Sequence, residues 1–337
     1  MKTYLRCAWT VVAFVLSHLD CANAETTKLI VATLVDPGTV VNTQVIEPWA
    51  KRVNDQGKGV LELIVREGPA LGDFGNIYDR VLSNVVQIGF GLQSAVGGKF
   101  PLTNVLALPF LYDNDADASQ AFWRVYKSGV LNSEYDQIVP LMLVGFSSAS
   151  LHFVKPLQSL DTLAGSKIIV PGKVQSDVIT TLGGAPISLK LTEEYEALQR
   201  HTADGTMIAW LAFNPWKLAE VTTYDVDTEL GAGAGMIFMA KQAYEALSPE
   251  ARRILEANSG ERESRSFGQA MQVENDNQRT AVASSPKHTI VTLTTAQRAN
   301  WQKKLEPIVA RWAAQSESAA TVLSRFHAAM SDIKAGK

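Results

Sequence analysis

Short apolar runs rich in β-branched residues alternate with amphipathic segments along the first third of the chain. The predicted elements are, in order, strand 28–35, helix 42–54, strand 60–65, helix 77–86 and strand 87–91. In the first helix Val45, Ile46, Trp49 and Val53 share one face, as in a helix that packs on a sheet. This alternation predicts an α/β fold with a largely parallel sheet.

The same pattern restarts further along the chain. Further strands are predicted at 140–146, 154–157, 167–170, 236–240 and 288–293, and further helices at 118–128, 174–182, 193–200, 249 to about 278 and from about 295. Gly231-Ala-Gly-Ala-Gly235 is predicted to be a flexible crossing. No long linker separates the two parts, so we predict two lobes that the chain crosses several times, with a cleft between them.

The first 24 residues have the features of a secretion signal. Lys2 and Arg6 provide a basic start, an apolar run follows at 7–16, and the small residues at 22–24 fit a cleavage site. The run is about half as long as the roughly 20 residues of a membrane-spanning helix. We therefore expect cleavage after Ala24 and a periplasmic protein. Both cysteines of the chain lie in this segment, so we expect no disulfide in the mature protein.

Charge and histidine positions argue against several classes of function. The chain has 31 Lys and Arg against 34 Asp and Glu, a net charge of −3, whereas a nucleic-acid partner would call for a basic patch. His152, His201, His288 and His327 lack the close spacing of a zinc site. The glycines at 231–235 do not form the fingerprint of a dinucleotide-binding turn. We expect no metal, no cofactor and no nucleic-acid partner.

Six short motifs carry a resemblance to a known family. They are Glu67-Gly-Pro-Ala-Leu-Gly72, Leu108-Pro-Phe-Leu111, Leu163-Ala-Gly-Ser-Lys-Ile-Ile-Val-Pro171, Tyr195-Glu-Ala-Leu-Gln199, Ala203-Asp-Gly205 and Leu247-Ser-Pro-Glu-Ala-Arg252. Because these motifs occur in this order and at this spacing, the chain resembles the dicarboxylate-binding (DctP-like) solute-binding proteins of tripartite ATP-independent periplasmic (TRAP) transporters. The resemblance runs over nearly the whole chain after the predicted signal.

The resemblance implies a periplasmic binding protein fold of two lobes, with inter-lobe crossing strands, a long spanning helix and a cleft that closes on a small ligand. Lobe I would comprise 25–147 plus about 236–275, and lobe II would comprise 148–235 plus about 276–337. The family delivers its ligand, an organic acid in most members, to TRAP permease subunits in the membrane. The protein would therefore not be an enzyme.

The residues with which the family grips its ligand are replaced in this chain. Ile169 stands in place of the main arginine, and Ile208 in place of an asparagine. A second arginine corresponds to Ala149, or to Ser147 or Ser148 if the strand slips, and a phenylalanine that covers the ligand corresponds to Leu191. An isoleucine cannot form the charge-assisted hydrogen bonds that a carboxylate needs when it leaves water.

The other predicted ligand-binding residues are Gln93, Gly172, Lys173, Tyr195, Trp210 and Phe213. Gln93 follows a predicted strand, and Gly172 and Lys173 begin the helix after Ile169. The spacing of Trp210, Phe213 and Trp216 fits a buried helix face as well as a ligand wall. By the same argument, His152 on an apolar strand fits a hydrogen-bonded structural histidine.

Three hypotheses about the ligand stay open at this point. A neutral or aromatic ligand would suit a wall made of the apolar side chains named above. An anion would need a cation elsewhere, with Lys173 as the first candidate and Lys190 and His152 as further ones. A cation would need an aromatic face, at Trp210, Trp216 or Tyr195.

Two other classes of function remain as alternatives. An exported hydrolase is suggested by Gly145-Phe-Ser-Ser-Ala149, which begins like a nucleophile elbow but lacks its closing glycine. A ligand-sensing partner of a membrane receptor could be built on the same fold. The sequence therefore favours a solute-binding component of a TRAP transporter without defining its ligand.

Overall fold

The computed structural model describes residues 26–337. The predicted signal segment and its cleavage site lie outside the described residues. The strands are β1 (Thr27–Ala32), β2 (Leu61–Arg66), β3 (Ile88–Leu92), β4 (Ile138–Gly145), β5 (Ser150–Phe153), β6 (Lys167–Ile169), β7 (Ala185–Ile187), β8 (Gly205–Ile208), β9 (Tyr224–Asp227), β10 (Ala234–Ala240) and β11 (Thr289–Thr292). The helices are α1 (Glu47–Gln56), α2 (Ile77–Leu82), α3 (Asp115–Lys127), α4 (Lys173–Thr181), α5 (Glu194–Gln199), α6 (Phe213–Trp216), α7 (Lys241–Glu245), α8 (Pro249–Ala257), α9 (Glu261–Ala283), α10 (Thr295–Ala313) and α11 (Glu317–Lys334).

The strands form two sheets, each with one antiparallel member. The first has the order β2-β1-β3-β10-β4, and the second has the order β11-β9-β5-β8-β6-β7. In the first sheet β10 runs antiparallel to β3 and β4, and in the second β5 runs antiparallel to β8 and β9. The predicted two-lobe α/β fold is thus confirmed, with one sheet in each lobe.

The two antiparallel strands are the ones that cross between the lobes. Strand β4 ends at Gly145 and the chain passes directly into β5, whose Ser150 lies opposite Ile208 at the end of β8. On the return crossing β9 leads into β10, whose Ala234 lies opposite Gly145. The carboxyl ends of the parallel strands in the two sheets therefore face each other across the crossing segments.

Three apolar clusters fill the space around the sheets. One continuous cluster lies against both sheets and runs through the crossing segments, where Leu106, Ala149 and Leu230 are buried. A second covers the other face of the first sheet, around Trp49. The third, which we call the lobe II cluster, contains Ile169, Ala197, Leu198, Ala203, Trp210, Ala212, Phe213, Leu218 and Val282.

Several predicted elements need correction. The strand predicted at 154–157 is wrong, because the chain pairs at Ser150–Phe153 instead. The helix predicted from 249 to about 278 is two helices. The first, α8, ends at Ala257, and α9 begins after Gly260, whose φ of 99° is not helical. Residues after 295 form α10 and α11 rather than one helix. Ser248 caps α8 as predicted, its side chain accepting a hydrogen bond from the Ala251 amide.

The terminal helix makes a contact that bears on the predicted division into lobes. Helix α11 packs on α3 and on the residues before it: the rings of Tyr112 and Phe326 lie 6.2 Å apart, and Arg124 Nη2 donates to the Lys337 carbonyl. The predicted lobe boundaries stay a prediction. The long helix α9 also joins the two parts, because its Ser264 Oγ accepts a hydrogen bond from the Leu143 amide of the first sheet and its Arg279 pairs with Asp227 of the second. No helix within residues 26–337 is both long and apolar enough to cross a bilayer.

Candidate functional site

The facing strand ends define the candidate site. In open α/β sheets, ligands bind outside the carboxyl ends of the strands, where crossovers leave a crevice. Gln93 follows β3, and Ser147 and Ala149 lie on the first crossing. On the opposite side, Gly172 and Lys173 follow β6, Leu191 lies beyond β7, and Trp210 and Phe213 follow β8. The structure thus brings most of the predicted ligand-binding residues to the two facing edges.

Ile169 and Ile208 lie on the same face of the second sheet. Strand alternation places Ile168 and Met207 in the continuous cluster, so that Ile169 and Ile208 point to the lobe II cluster. Ile169 is 1% exposed, whereas Ile208 is only partly buried. Ile169 is therefore a buried member of the lobe II cluster, where an arginine would need a partner for its charge.

Trp210 and Phe213 are buried members of the lobe II cluster. Trp210 begins a short 3-10 turn that leads into α6, and its Nε1 donates to Asp227 Oδ1 at 3.1 Å. The rings of Trp210 and Phe213 each lie 4.5 Å from the ring of His152. Both side chains therefore pack as core in this conformation, and a cation would reach neither face without a rearrangement.

The polar candidates in lobe II lie nearer the surface. Lys173 is 84% exposed in its side chain and pairs with Asp177 at 3.0 Å, one turn along α4. Tyr195 is partly buried, and its hydroxyl donates to Glu220 at 2.8 Å. Leu191 is partly buried at the start of a 3-10 turn. Because the Lys173 side chain is exposed, water and salt screen its charge.

The first crossing carries a buried hydrogen bond between lobe I and the crossing itself. Ser147 donates to a carboxyl oxygen of Asp115 at the start of α3. Burial raises the pKa of Asp115 to about 7, with a contribution from the charge of Asp276, while the Ser147 hydrogen bond opposes the shift. Ala149 is buried, and its backbone pairs with the return crossing at Gly231 and Leu230. The hydrogen bond to the Asp115 carboxyl group therefore holds the Ser147 side chain in place.

Gln93 has a buried atom left without a partner. Its Nε2 donates to the Tyr135 hydroxyl at 3.2 Å, and Tyr135 in turn contacts Thr103 at 3.0 Å. The residue is 4% exposed, and its Oε1 has no hydrogen-bond partner within residues 26–337. Exchanging the amide oxygen and nitrogen would only leave the nitrogen unpaired instead. Buried unpaired polar atoms are rare in folded proteins, and Gln93 Oε1 is one of the few among the described side chains.

The sequence did not predict a hydrogen-bonded trio of His152, Asp225 and His288 behind the lobe II cluster. The Asp225 carboxyl oxygens lie 2.8 Å from Nδ1 of each histidine. His152 Nε2 lies 3.0 Å from the Ile208 carbonyl oxygen, and His288 Nε2 lies 3.1 Å from that of Ala219. The interpretation of His152 as a hydrogen-bonded histidine is consistent with this geometry. In the sequence, the alternation of acidic and apolar residues in Tyr224-Asp-Val-Asp227 could have indicated a strand with acidic side chains on one face.

Two cavities lie outside the set of predicted ligand-binding residues. A cavity of about 450 Å³ is lined mainly by residues of α10 and by Pro109, Phe110 and Leu111. A smaller one of about 140 Å³ lies beside the return crossing, next to Glu229 and Arg298. Among the described residues no group of three or more His, Cys, Asp or Glu side chains has the arrangement of a metal site.

Two α/β lobes with facing strand ends, joined by two crossing strands, define the class of bilobal solute-binding proteins. The sequence places the chain within that class: residues 31–316 match the family of bacterial extracellular solute-binding proteins, family 7 (DctP). The chain belongs to this family, as the motifs at 67–72 and 163–171 predicted. It is a solute-binding protein that captures a small organic ligand.

Relatives and solved structures agree with this assignment. The outer membrane transporter protein TsaT from Comamonas testosteroni is 22% identical over 76% of this chain and 75% of its own length. A TRAP solute-binding protein from Rhodoferax ferrireducens, with copurified benzoate, has a TM-score of 0.85 at 23% identity, covering 93% of this chain and all of that one. One from Bordetella bronchiseptica, with bound (R)- and (S)-mandelate, has a TM-score of 0.82 at 19% identity, covering 91% of this chain and 99% of that one. At such identities these structures establish the fold.

Proposed function

We propose that this protein is the periplasmic binding component of a TRAP transporter and that it captures a small carboxylic acid with an aromatic or otherwise apolar body. The observation that carries the proposal is the apolar surface at the facing strand ends, where Ile208 is partly buried in front of the buried Ile169, Trp210 and Phe213. We call these four residues the ligand wall. The resemblance to the family assigns its arginine and asparagine to Ile169 and Ile208. A ligand with a large apolar surface gains most from such a wall.

The similar structures support this ligand class. The proteins from Rhodoferax ferrireducens and Bordetella bronchiseptica were found with benzoate and mandelate, and a marine metagenome protein of the same fold is specific for aromatic acids. A Shewanella oneidensis protein with bound succinate is also similar, at a TM-score of 0.76. The fold thus accommodates both classes, and the wall of this chain favours the aromatic one.

Delivery to a membrane permease, export through a cleaved signal and the absence of catalysis complete the proposal. Family membership supports a receptor that hands its ligand to another protein. Ala149 stands where a nucleophile elbow has its closing glycine, so this motif gives no support to a hydrolase. Transport of labelled benzoate by cells that carry the protein and the permease genes, and its loss when the binding-protein gene is deleted, would test this part.

The first prediction concerns ligand class. We expect benzoate and (R)-mandelate at millimolar concentration to raise the melting temperature by several degrees, because a ligand that binds only the folded state stabilises it by mass action. Succinate should give a smaller shift, since its second carboxylate would be buried against isoleucine. Thermal unfolding and calorimetry of the chain from Glu25 onward would measure both. A micromolar affinity for succinate with no affinity for benzoate would contradict the proposal.

A matched pair of variants locates the site. Ile208→Ala truncates a partly buried side chain at the facing strand end, and Ile290→Ala truncates a partly buried side chain against the same cluster on the outer strand β11. Both should cost about 1–3 kcal/mol of stability. Only Ile208→Ala should lower benzoate affinity, by about tenfold for the lost apolar contact. Equal loss of affinity in both variants would place the ligand elsewhere.

A further inference from the structure

The trio of His152, Asp225 and His288 has a hydrogen count that its partners dictate. A carbonyl oxygen can only accept, so each Nε2 that faces one must carry a hydrogen. Each of the two contacts between Nδ1 and an Asp225 oxygen needs one further hydrogen, on the ring or on the carboxyl group. The fully bonded trio therefore holds four hydrogens on its ring nitrogens and carboxyl group.

Four hydrogens give the trio a net positive charge. Two neutral imidazoles and an ionised carboxylate would together hold two hydrogens and have a charge of −1. Two more hydrogens bring the charge to +1, wherever the shared ones reside. The side chains are at most 1% exposed, so water cannot replace a lost hydrogen bond, and leaving a buried donor or acceptor unpaired is unfavourable. The geometry therefore holds one positive charge inside lobe II.

Neighbouring charged groups do not cancel this charge. On β9, Asp227 forms an ion pair with Arg279 of α9 at 2.7 Å. On α5, Glu194 accepts a hydrogen bond from Thr206, which pairs with His152 in the sheet, and burial raises the pKa of Glu194 to about 7. Near neutral pH this carboxyl group therefore offsets part of the positive charge but not all of it. Beyond Ala219, Glu220 accepts a hydrogen bond from Tyr195 at the surface.

The charge lies directly behind the proposed ligand wall. The ring of His152 contacts Trp210 and Phe213, each at 4.5 Å between centroids. Its Nε2 bonds the carbonyl of Ile208, the residue that replaces the family's asparagine. An electrostatic interaction across one layer of apolar side chains is only weakly screened. A ligand on this wall would therefore experience a positive potential without touching a cation.

We propose that the buried His152–Asp225–His288 trio supplies the positive charge that the missing arginine would have provided, so that the site selects a carboxylate over its neutral analogue. This inference rests on the proposed function and makes it more specific, because it decides between the neutral and the anionic ligand. It also assigns the charge to a position other than Lys173, whose ammonium group is exposed and paired with Asp177.

The hydrogen count is tested first, in the ligand-free protein. Protein labelled with 15N-histidine would be studied by long-range ¹H–¹⁵N correlation at pH 7, with His152→Gln and His288→Gln used to assign the two rings. We expect hydrogens on both Nε2 atoms and hydrogen-bonded hydrogens in both Nδ1 contacts. An unprotonated Nε2, or a ring nitrogen with a free lone pair towards Asp225, would overturn the charge assignment whether or not any ligand binds.

The effect on the ligand is tested with benzoate and benzamide, which share a shape and differ in charge. Calorimetry at pH 7 should give the wild-type protein a preference for benzoate of at least about tenfold. His288→Gln lowers the charge of the trio by one and should reduce this preference about tenfold. His327→Gln changes an exposed histidine on α11. It serves as the control and should leave the preference unchanged.

The possible outcomes separate this inference from the proposed function. If neither probe nor any other small acid binds, the proposed function fails, and the charge has no ligand to select. If both probes bind equally, the function stands and this inference is overturned. If His288→Gln keeps the full preference, or if Lys173→Ala alone removes it, the charge is supplied elsewhere. Because a general loss of folding in His288→Gln would lower both affinities together, circular dichroism is used to confirm that the variant is folded before the ratio is measured. His152→Gln, which removes the same charge, takes its place if it is not.

Discussion

Replacing Gly231 by alanine is expected to destabilise the protein by about 2–4 kcal/mol, because the return crossing has no room for a side chain. Gly231 has φ 84°, and an added Cβ would lie 2.2 Å from the Ala107 carbonyl oxygen and 2.8 Å from that of Leu108. The Gly231 carbonyl also accepts a hydrogen bond from the Ala149 amide at 2.9 Å. The clash is with backbone atoms, so a side-chain rotation cannot relieve it.

The same glycine-rich segment provides its own control. Gly233 has no atom within 4 Å of a built Cβ and no positive φ, so Gly233→Ala should change stability by less than about 0.5 kcal/mol. Thermal and denaturant unfolding of both variants would measure the difference. Similar melting temperatures for Gly231→Ala and the wild type would show that the crossing is flexible, as its composition alone predicted.

This segment shows where composition misleads. Five residues of alternating glycine and alanine predicted a flexible crossing, whereas backbone hydrogen bonds fix it between the two lobes. The Ala232 amide donates to the Leu106 carbonyl at 2.9 Å, and the Phe146 amide donates to the Gly233 carbonyl at 3.2 Å. The partners lie about 80 or more positions away in sequence, and no local pattern contains them. Glycine is needed here because two segments of the backbone approach closely, and not because the crossing must be flexible.

Elements with their own periodic pattern were predictable from the sequence. Trp301, Leu305, Ile308 and Trp312 are all buried on α10, as their spacing predicted. The short strands β7, β8 and β9 were not, because three or four residues carry too little pattern and their pairing partners are distant. The helix start at Ser248 was found because the cap, the proline and the first turn form one local signal.

The candidate site divides in the same way. The resemblance to the family predicts from the sequence that Ile169 and Ile208 replace polar contacts, and the structure places both against one apolar cluster. The trio of His152, Asp225 and His288 could not be assembled, since its members come from three separate strands or loops. Hydrogen-bond geometry, rather than residue type, distinguishes a structural histidine from one that holds a charge.

A stability gain at alkaline pH is expected for Asp115→Asn, because the folded protein holds this carboxyl group where its ionised form is poorly solvated. Burial raises the pKa of Asp115 from its ordinary value of 3.8 to about 7. Below about pH 3.8 the group is protonated in both states, and it costs nothing. Between pH 3.8 and about 7 the unfolded chain loses the proton that the folded one keeps, so stability falls as pH rises. Above about pH 7 the whole penalty applies.

The size of the gain follows from the shift. Each pKa unit corresponds to about 1.4 kcal/mol, and allowing for relaxation around the carboxylate, we expect Asp115→Asn to stabilise by about 1–3 kcal/mol at pH 8. The asparagine oxygen can still accept the hydrogen bond from Ser147. At pH 4 the two proteins should melt within a degree or two of each other. Melting temperatures across this range would provide the measurement.

The same helix turn contains a matched control. Asp117 also lies in the first turn of α3, but it is bonded to Arg265 at the surface. Asp117→Asn removes an equal charge from the helix start and should destabilise slightly, by about 0.2–1 kcal/mol, with no gain at pH 8. A loss of stability in Asp115→Asn at pH 8 comparable to that of Asp117→Asn would mean that the Asp115 carboxylate stabilises the crossing as an ion. The hydrogen bond from Ser147 to Asp115 would then stabilise the start of the crossing when Asp115 is ionised.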